Sequence, residues 1–132
     1  MNEKEAREAY FELKMIEEQM KQLQQQMENL EQNIIEFENA VKSIDELKSK
    51  SGEEAFVPVS SGIYAKAKLH DTDNFIVNVG AGVAVEKPAV ETKGLIEKQL
   101  VEMRGYREQM AKGMQLLSSR AGEIEAAVSR EG

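Results

Sequence analysis

The sequence contains no cysteine and no tryptophan, and only two prolines in 132 residues. Without cysteine there is no disulfide, no thiolate nucleophile and no cysteine-based zinc site. Aromatic residues make up 5% and charged residues 31%, which describes an elongated helical protein better than one with a thick core. No apolar run approaches the ~20 residues needed to cross a bilayer. Glu3, Glu5 and Glu8 among the first residues are unlike a signal peptide. A soluble, cytoplasmic chain with no membrane partner is therefore expected. Basic residues number 17 against 24 acidic ones, a net charge of −7. Nucleic acid is not an expected partner, because binding phosphates needs clustered Lys and Arg.

Catalytic groups are also scarce. His70 is the single histidine and sits beside a turn. Asp71 and Asp73 are explained by that turn. Gly80-Ala81-Gly82 lacks the Lys and following helix of a phosphate cradle. With no nucleophile, base and orienting group in combination, no enzyme, cofactor or metal is expected.

What the sequence does have is one long apolar seam. Ala6, Ala9, Leu13, Ile16, Met20, Leu23, Met27, Leu30, Ile34, Phe37, Val41 and Ile44 succeed one another at steps of three and four. Kept up over more than five heptads, this spacing predicts a coiled-coil helix over 1–50. At about 1.5 Å per residue it is roughly 65–70 Å long and needs a partner along its length. The positions flanking the seam carry acids and amides but no base, among them Glu12, Glu31 and Asp45. Two copies side by side would set acid against acid, so the expected partner is a helix with basic flanks. Ser51-Gly52 reads as the stop near Lys50, with lysines in the last turns.

Over 53–87 the period changes to two. Phe56-Val57-Pro58-Val59, then Ile63 to Leu69 alternating with Tyr64, Lys66 and Lys68, then Phe75 to Val79, then Val83 to Glu86 are separated by turn residues. These are four short strands, as two β-hairpins or one meander, with Pro58 at an edge or strand end. So short a segment cannot build its own core, and its edges seek pairing. It is predicted to be an oligomerisation module.

A second helix is predicted over 88–130, with Pro88 at its first position. Ala89, Ile96, Met103, Met110, Leu117 and Ile124 recur every seven residues, and Lys93, Leu100, Arg107, Met114, Ala121 and Val128 form the companion row. Lys93 and Arg107 are charged seam positions, and Gly94, Gly105, Gly113 and Gly122 each cost about 1 kcal/mol against Ala. Folding back antiparallel puts Ile44 near Ala89 and Ala6 near Val128. Arg107, a tolerated defect, then reaches Glu28 or Glu31, while Arg104 and Arg120 meet the acidic flanks.

Helix, two hairpins, helix resembles the prefoldin family, specifically the archaeal α-type subunit. The similarity is carried by Val57-Pro58-Val59 with its Ser/Gly turn, Ala65-Lys66-Ala67-Lys68, Asp71-Thr72, Val77-Asn78-Val79-Gly80-Ala81-Gly82-Val83-Ala84-Val85 and the amide-rich Gln24-Gln25-Gln26-Met27-Glu28. The resemblance implies a mainly α fold with a small β module, a long antiparallel coiled-coil hairpin forming a single domain over 1–132. It further implies an ATP-independent holdase, a hexamer of two α-type and four β-type subunits. Such a hexamer holds unfolded polypeptides at its coiled-coil tips and passes them to a group II chaperonin.

Two surfaces are singled out. Tyr10, Phe11, Met15 and Leu116 lie off the seam near the free end, and Ala6, Ala9, Leu13, Ile124, Ala127 and Val128 would add apolar area there. This is the expected client surface, since a chaperone needs exposed, adaptable apolar groups; the alternative is that they pack on one another. The expected assembly surface is Val57, Val59, Ile63, Phe75, Val77, Val79, Val83 and Val85. The competing reading is a structural spacer, tether or filament subunit that uses the same elements without a client.

Overall fold

The computed structural model describes residues 2–131, with side chains up to Arg130; Met1 and Gly132, the ends of the predicted domain, lie outside the described residues. The chain runs α1 (Glu3–Leu47), β1 (Glu54–Ser60), β2 (Ile63–Lys68), β3 (Asn74–Gly80), β4 (Val83–Pro88) and α2 (Ala89–Glu131). By its contacts it divides into two compact units, one made of residues up to Ile34 and from Glu102, the other of Ile35–Val101.

In the first unit the α1 segment begins with Asn2 as its cap. The Asn2 side-chain oxygen accepts the Glu5 N–H at 2.8 Å, satisfying one of the donors that the first turn leaves open, and its amide donates to the Glu5 carboxylate at 3.2 Å. Ile16, Ile34 and Ile124 are buried. Leu13, Met20, Leu23, Met27 and Leu30 of α1 are half-buried, as are Met103, Met110, Met114, Leu117 and Ala121 of α2. Half-burial of a narrow seam is what a two-helix coiled coil gives, since each helix covers only one stripe of the other. Ion pairs fix the direction of pairing. Arg120 reaches Glu12 at 2.9 Å, and Arg107 reaches Glu31 at 3.0 Å, so α2 runs antiparallel to α1 in this unit.

The second unit holds the last turns of α1, the strands and the first turns of α2. Lys93 pairs with Asp45 at 2.9 Å, again joining a charged seam position of α2 to an acidic flank of α1. The helix stops three residues short of the expected Lys50. Ser49, with φ +66°, takes the left-handed capping conformation, and Gly52, with φ +87°, serves the next turn. The lysines expected in the last turn therefore fall beyond it, in the connection. Gly52 N–H donates to the Leu69 carbonyl and Leu69 N–H to the Glu53 carbonyl, so the β1–β2 ladder extends toward the helix end.

The strands form two separate antiparallel hairpins, β1–β2 and β3–β4, and not a meander. Pro58 lies inside β1, opposite Tyr64, next to an irregularity between Pro58 and Ser60. A two-stranded sheet has only edges, so the missing N–H can face solvent. Pro88 closes β4 instead of opening α2. Its carbonyl accepts the Thr92 hydroxyl at 2.9 Å, and the Ala89 N–H goes to the Asp73 carbonyl at 2.7 Å. With its N–H spoken for outside the helix, Ala89 takes the first helical position.

Candidate interaction surfaces

In the first turns of α1, Tyr10 is 61% exposed and Phe11 66%, with Met15 also exposed. Leu116 of α2 is 72% exposed but lies between Gly113, which meets Leu23, and Arg120, which pairs with Glu12, and so stands further from the chain ends than Tyr10 and Phe11. They stand outside because the seam already fixes which side of each helix faces the other: Phe11 lies opposite it, Met15 and Leu116 lie well away from it, and Tyr10 lies at its flank. Lys14 sits over the Tyr10 ring, 5.1 Å from its centre, a cation–π arrangement that keeps the ring outward.

The seam residues of this end behave differently from one another. Leu13 and Ala9 are half-buried and Ile124 is buried, while Ala6, Ala127 and Val128 are exposed. Small side chains leave the last part of the seam unfilled. A groove of about 230 Å³ results, lined by Glu5, Glu8, Ala9, Glu12, Arg120, Glu123, Ile124 and Ala127. Arg120 crosses it, donating Nε and Nη2 to the two Glu12 oxygens at 2.9 and 3.2 Å and Nη1 to Glu123 at 3.3 Å. The Glu12 and then Glu123 carboxylates hold the guanidinium above its ordinary pKa.

The second unit presents the hairpin surfaces. Register places Phe56 beside Lys66 and Pro58 beside Tyr64 on one face of β1–β2. A groove of about 310 Å³ there is lined by Phe56, Tyr64 and Lys66. Val57, Val59 and Ile63 are exposed, whereas Ala55 and Ala67, paired across the strands, are half-buried. On β3–β4 the face carrying Phe75, Val77, Val85 and Lys87 is half-buried and the face carrying Ile76 is exposed, Ile76 at 73%. A groove of about 390 Å³ is lined by Val77, Asn78 and Val79 together with Thr92, Leu95, Ile96 and Gln99 of α2, so the half-buried face looks toward the first turns of that helix. Val79 and Val83 are exposed beside the hairpin turn.

The expected assembly set is thus split. Val57, Val59, Ile63, Val79 and Val83 are exposed, while Phe75, Val77 and Val85 are half-buried within their own unit. Phe56 (69% exposed), Tyr64 and Ile76 are accessible and were not in the expected set. Their signal was present in the alternation of the strands, which puts bulky groups on both faces.

The connections are polar and hydrogen-bonded. The Ser51 and Thr72 hydroxyls lie 2.9 Å apart, and the Thr72 N–H donates to Ser51 Oγ at 3.0 Å; Thr72 is buried. Asp71 accepts the Asp73 N–H at 2.8 Å and the Asn74 side-chain amide at 3.1 Å. Those bonds, the Asn74 amide foremost, hold the Asp71 carboxyl below its ordinary range. His70 is exposed. Among the described residues no cluster of His, Cys, Asp and Glu has metal-binding geometry, and no helix is long and apolar enough to cross a membrane.

Comparison with known proteins agrees with this architecture. The family model described as prefoldin subunit matches residues 16–132. The chain is 33% identical over 93 residues to prefoldin subunit alpha of Methanobrevibacter smithii, a match covering 70% of this chain and 64% of that one. Thus it spans a little under two thirds of that relative's length. It is 35% identical over 99 residues to prefoldin subunit alpha of Methanosarcina mazei, covering 67% of this chain and 70% of that one. Among solved structures, the cryo-EM structure of filamentous PFD from Methanocaldococcus jannaschii superposes with a TM-score of 0.75 at 20% identity, covering 87% of this chain and 96% of that chain.

Proposed function

The chain belongs to the prefoldin family, as an α-type subunit like its archaeal relatives, and on that premise we propose that it is a subunit of an ATP-independent, non-enzymatic holdase chaperone. The whole chain serves as one prefoldin-like domain. Two such chains join four β-type subunits through the accessible hairpin faces, in the cytoplasm. The terminal turns of the two helices hold unfolded polypeptide, prevent its aggregation and release it to a group II chaperonin.

The observation that carries this reading is the exposure of Tyr10, Phe11 and Met15 in the first turns of α1, the same turns in which the seam is left unfilled, with Leu116 exposed further along α2. Large apolar groups left in water are costly at roughly 25 cal/mol per Å², and grouped ones mark a surface that binds something. The test is Tyr10→Ser combined with Phe11→Ser. Suppression of aggregation of a denatured client should fall while the native mass of the assembly is kept; unchanged suppression sinks the reading.

A second reading, a spacer or filament subunit without clients, draws on the exposed edges of both hairpins and on the filamentous form of the similar Methanocaldococcus jannaschii protein. Affinity capture of the chain from its native lysate separates the two. A smaller heptad-rich partner together with chaperonin subunits supports the chaperone, and open polymers of this chain alone support the filament.

A further inference from the structure

The groove at the terminal turns has a chemistry that the exposed aromatic residues of α1 do not share. Its floor is Ala9, Ile124 and Ala127, and among the described residues lining it the charged ones are four glutamates and one arginine: Glu5, Glu8, Glu12, Glu123 and Arg120. Arg120 is turned onto Glu12 and Glu123, which leaves Glu5 and Glu8 as the side of the groove that it does not span. The bases of the first turns of α1 are elsewhere. At 100° per residue, Lys4, Arg7 and Lys14 fall on the side of α1 away from the seam, and Lys14 is engaged over the Tyr10 ring.

Size narrows the occupant further. An apolar cavity of roughly 150 Å³ takes a benzene ring, and drug-sized ligands need about 300 Å³ or more. A groove of about 230 Å³ lies between the two, the scale of one large apolar side chain. Such a side chain would bring the residues next to it in its own chain against the carboxylate rim.

Resting on the client reading above, we propose that this groove selects the class of client segment: an unfolded stretch in which a large apolar side chain is flanked by Lys or Arg. The apolar group fills the unfilled end of the seam, and the flanking cations meet Glu5 and Glu8. A segment with Asp or Glu in the flanking places meets like charge and is disfavoured.

The experiment uses the full chain and two short unstructured peptides of identical apolar content, each with one tryptophan, one flanked by lysines and the other by glutamates. The protein has no tryptophan, so the anisotropy of the peptide's own fluorescence reports binding. The lysine-flanked peptide should bind roughly fivefold or more tightly at low salt, with the gap closing as ionic strength rises toward ~1 M. Glu5→Lys with Glu8→Lys should remove that gap with helicity unchanged by circular dichroism, and Ala9→Leu, which fills the floor, should weaken both peptides. Equal binding of the two peptides overturns the proposal while leaving the client reading intact. A gap that survives Glu5→Lys with Glu8→Lys also overturns it, because the net charge of −7 and not the groove is then the cause. If neither peptide binds, the client reading fails and this one fails with it.

Discussion

Arg107 of α2 donates from a single guanidinium nitrogen to both carboxylate oxygens of Glu31 on α1, at 3.2 and 3.0 Å. A charged residue at a seam position thereby reaches the rim of the coiled coil, its stem covering apolar surface on the way. Glu28, the other expected partner, lines a groove with Glu31, Gln24, Met27 and Met114, and the ion pair goes to Glu31.

The pair is worth little by itself, because both side chains remain more than a third exposed and water screens them. Arg107→Leu should therefore leave the melting temperature unchanged or slightly higher, the change in stability being below about 1 kcal/mol. Arg107→Glu, facing Glu31, should lower it, and adding Glu31→Arg should restore it. A thermal double-mutant cycle that shows no coupling would remove Glu31 as the partner.

Gly113 gives a stabilising prediction. A Cβ at this position would stand 3.5 Å from Leu23 Cδ2, an ordinary contact. Since glycine costs a helix interior about 1 kcal/mol against alanine, Gly113→Ala should raise the urea midpoint by a corresponding amount. Gly82→Ala should lower it, because φ there is +75°, a conformation that costs side-chain-bearing residues about 1–2 kcal/mol.

The Ser51–Thr72 bond should prove costly to break from the serine side. Ser51→Ala leaves both the buried Thr72 hydroxyl and the Thr72 N–H without Ser51 Oγ. About 1–3 kcal/mol should be lost, and Thr72→Val, which spares the N–H bond, should cost less. Chemical denaturation of the two variants compares them directly.

Asp71 supplies the pH dependence. Its folded pKa lies below the ordinary value of 3.8, so its contribution is present above that pH and is lost as pH falls through the folded pKa. The protection of the Asp73 and Asn74 amides against exchange, relative to the intrinsic rate at each pH, should fall on acidification through this window. In Asp71→Asn that acid-dependent step should vanish.

For the hairpins, Phe56→Ser with Ile76→Ser should prevent assembly with partner subunits, seen by native mass spectrometry, without loss of helicity. Phe75→Ser should instead lower the melting temperature of the unassembled chain, since Phe75 is half-buried within its own unit. Retention of the assembled mass by the first variant would move the interface away from these faces.

Much of this protein was legible in its sequence. The three- and four-residue steps from Ala9 to Ile44 locate α1, and each of those positions is shielded, because helical geometry turns spacing directly into a face. The acidic flanks implied basic partners, and Glu12, Glu31 and Asp45 find them in Arg120, Arg107 and Lys93 of the same chain. Turn chemistry located the strand breaks for the same local reason.

Other features needed tertiary structure. Nothing in Ser49 announces that it will cap α1 in place of Gly52, since that depends on where the β1–β2 ladder, through Leu69, captures the chain. Period-two alternation makes two faces in a strand but does not say which one a neighbour covers. Only the folded unit, in which Val77 shares a groove with Leu95 and Ile96, decided that the Phe75 and Val77 face is half-buried and the Ile76 face exposed. The groove between Ala9, Ile124 and Ala127 is likewise a property of two distant segments brought together: periodicity assigns residues to a seam, whereas the space left within it is set by the sizes of side chains that meet only in the folded chain.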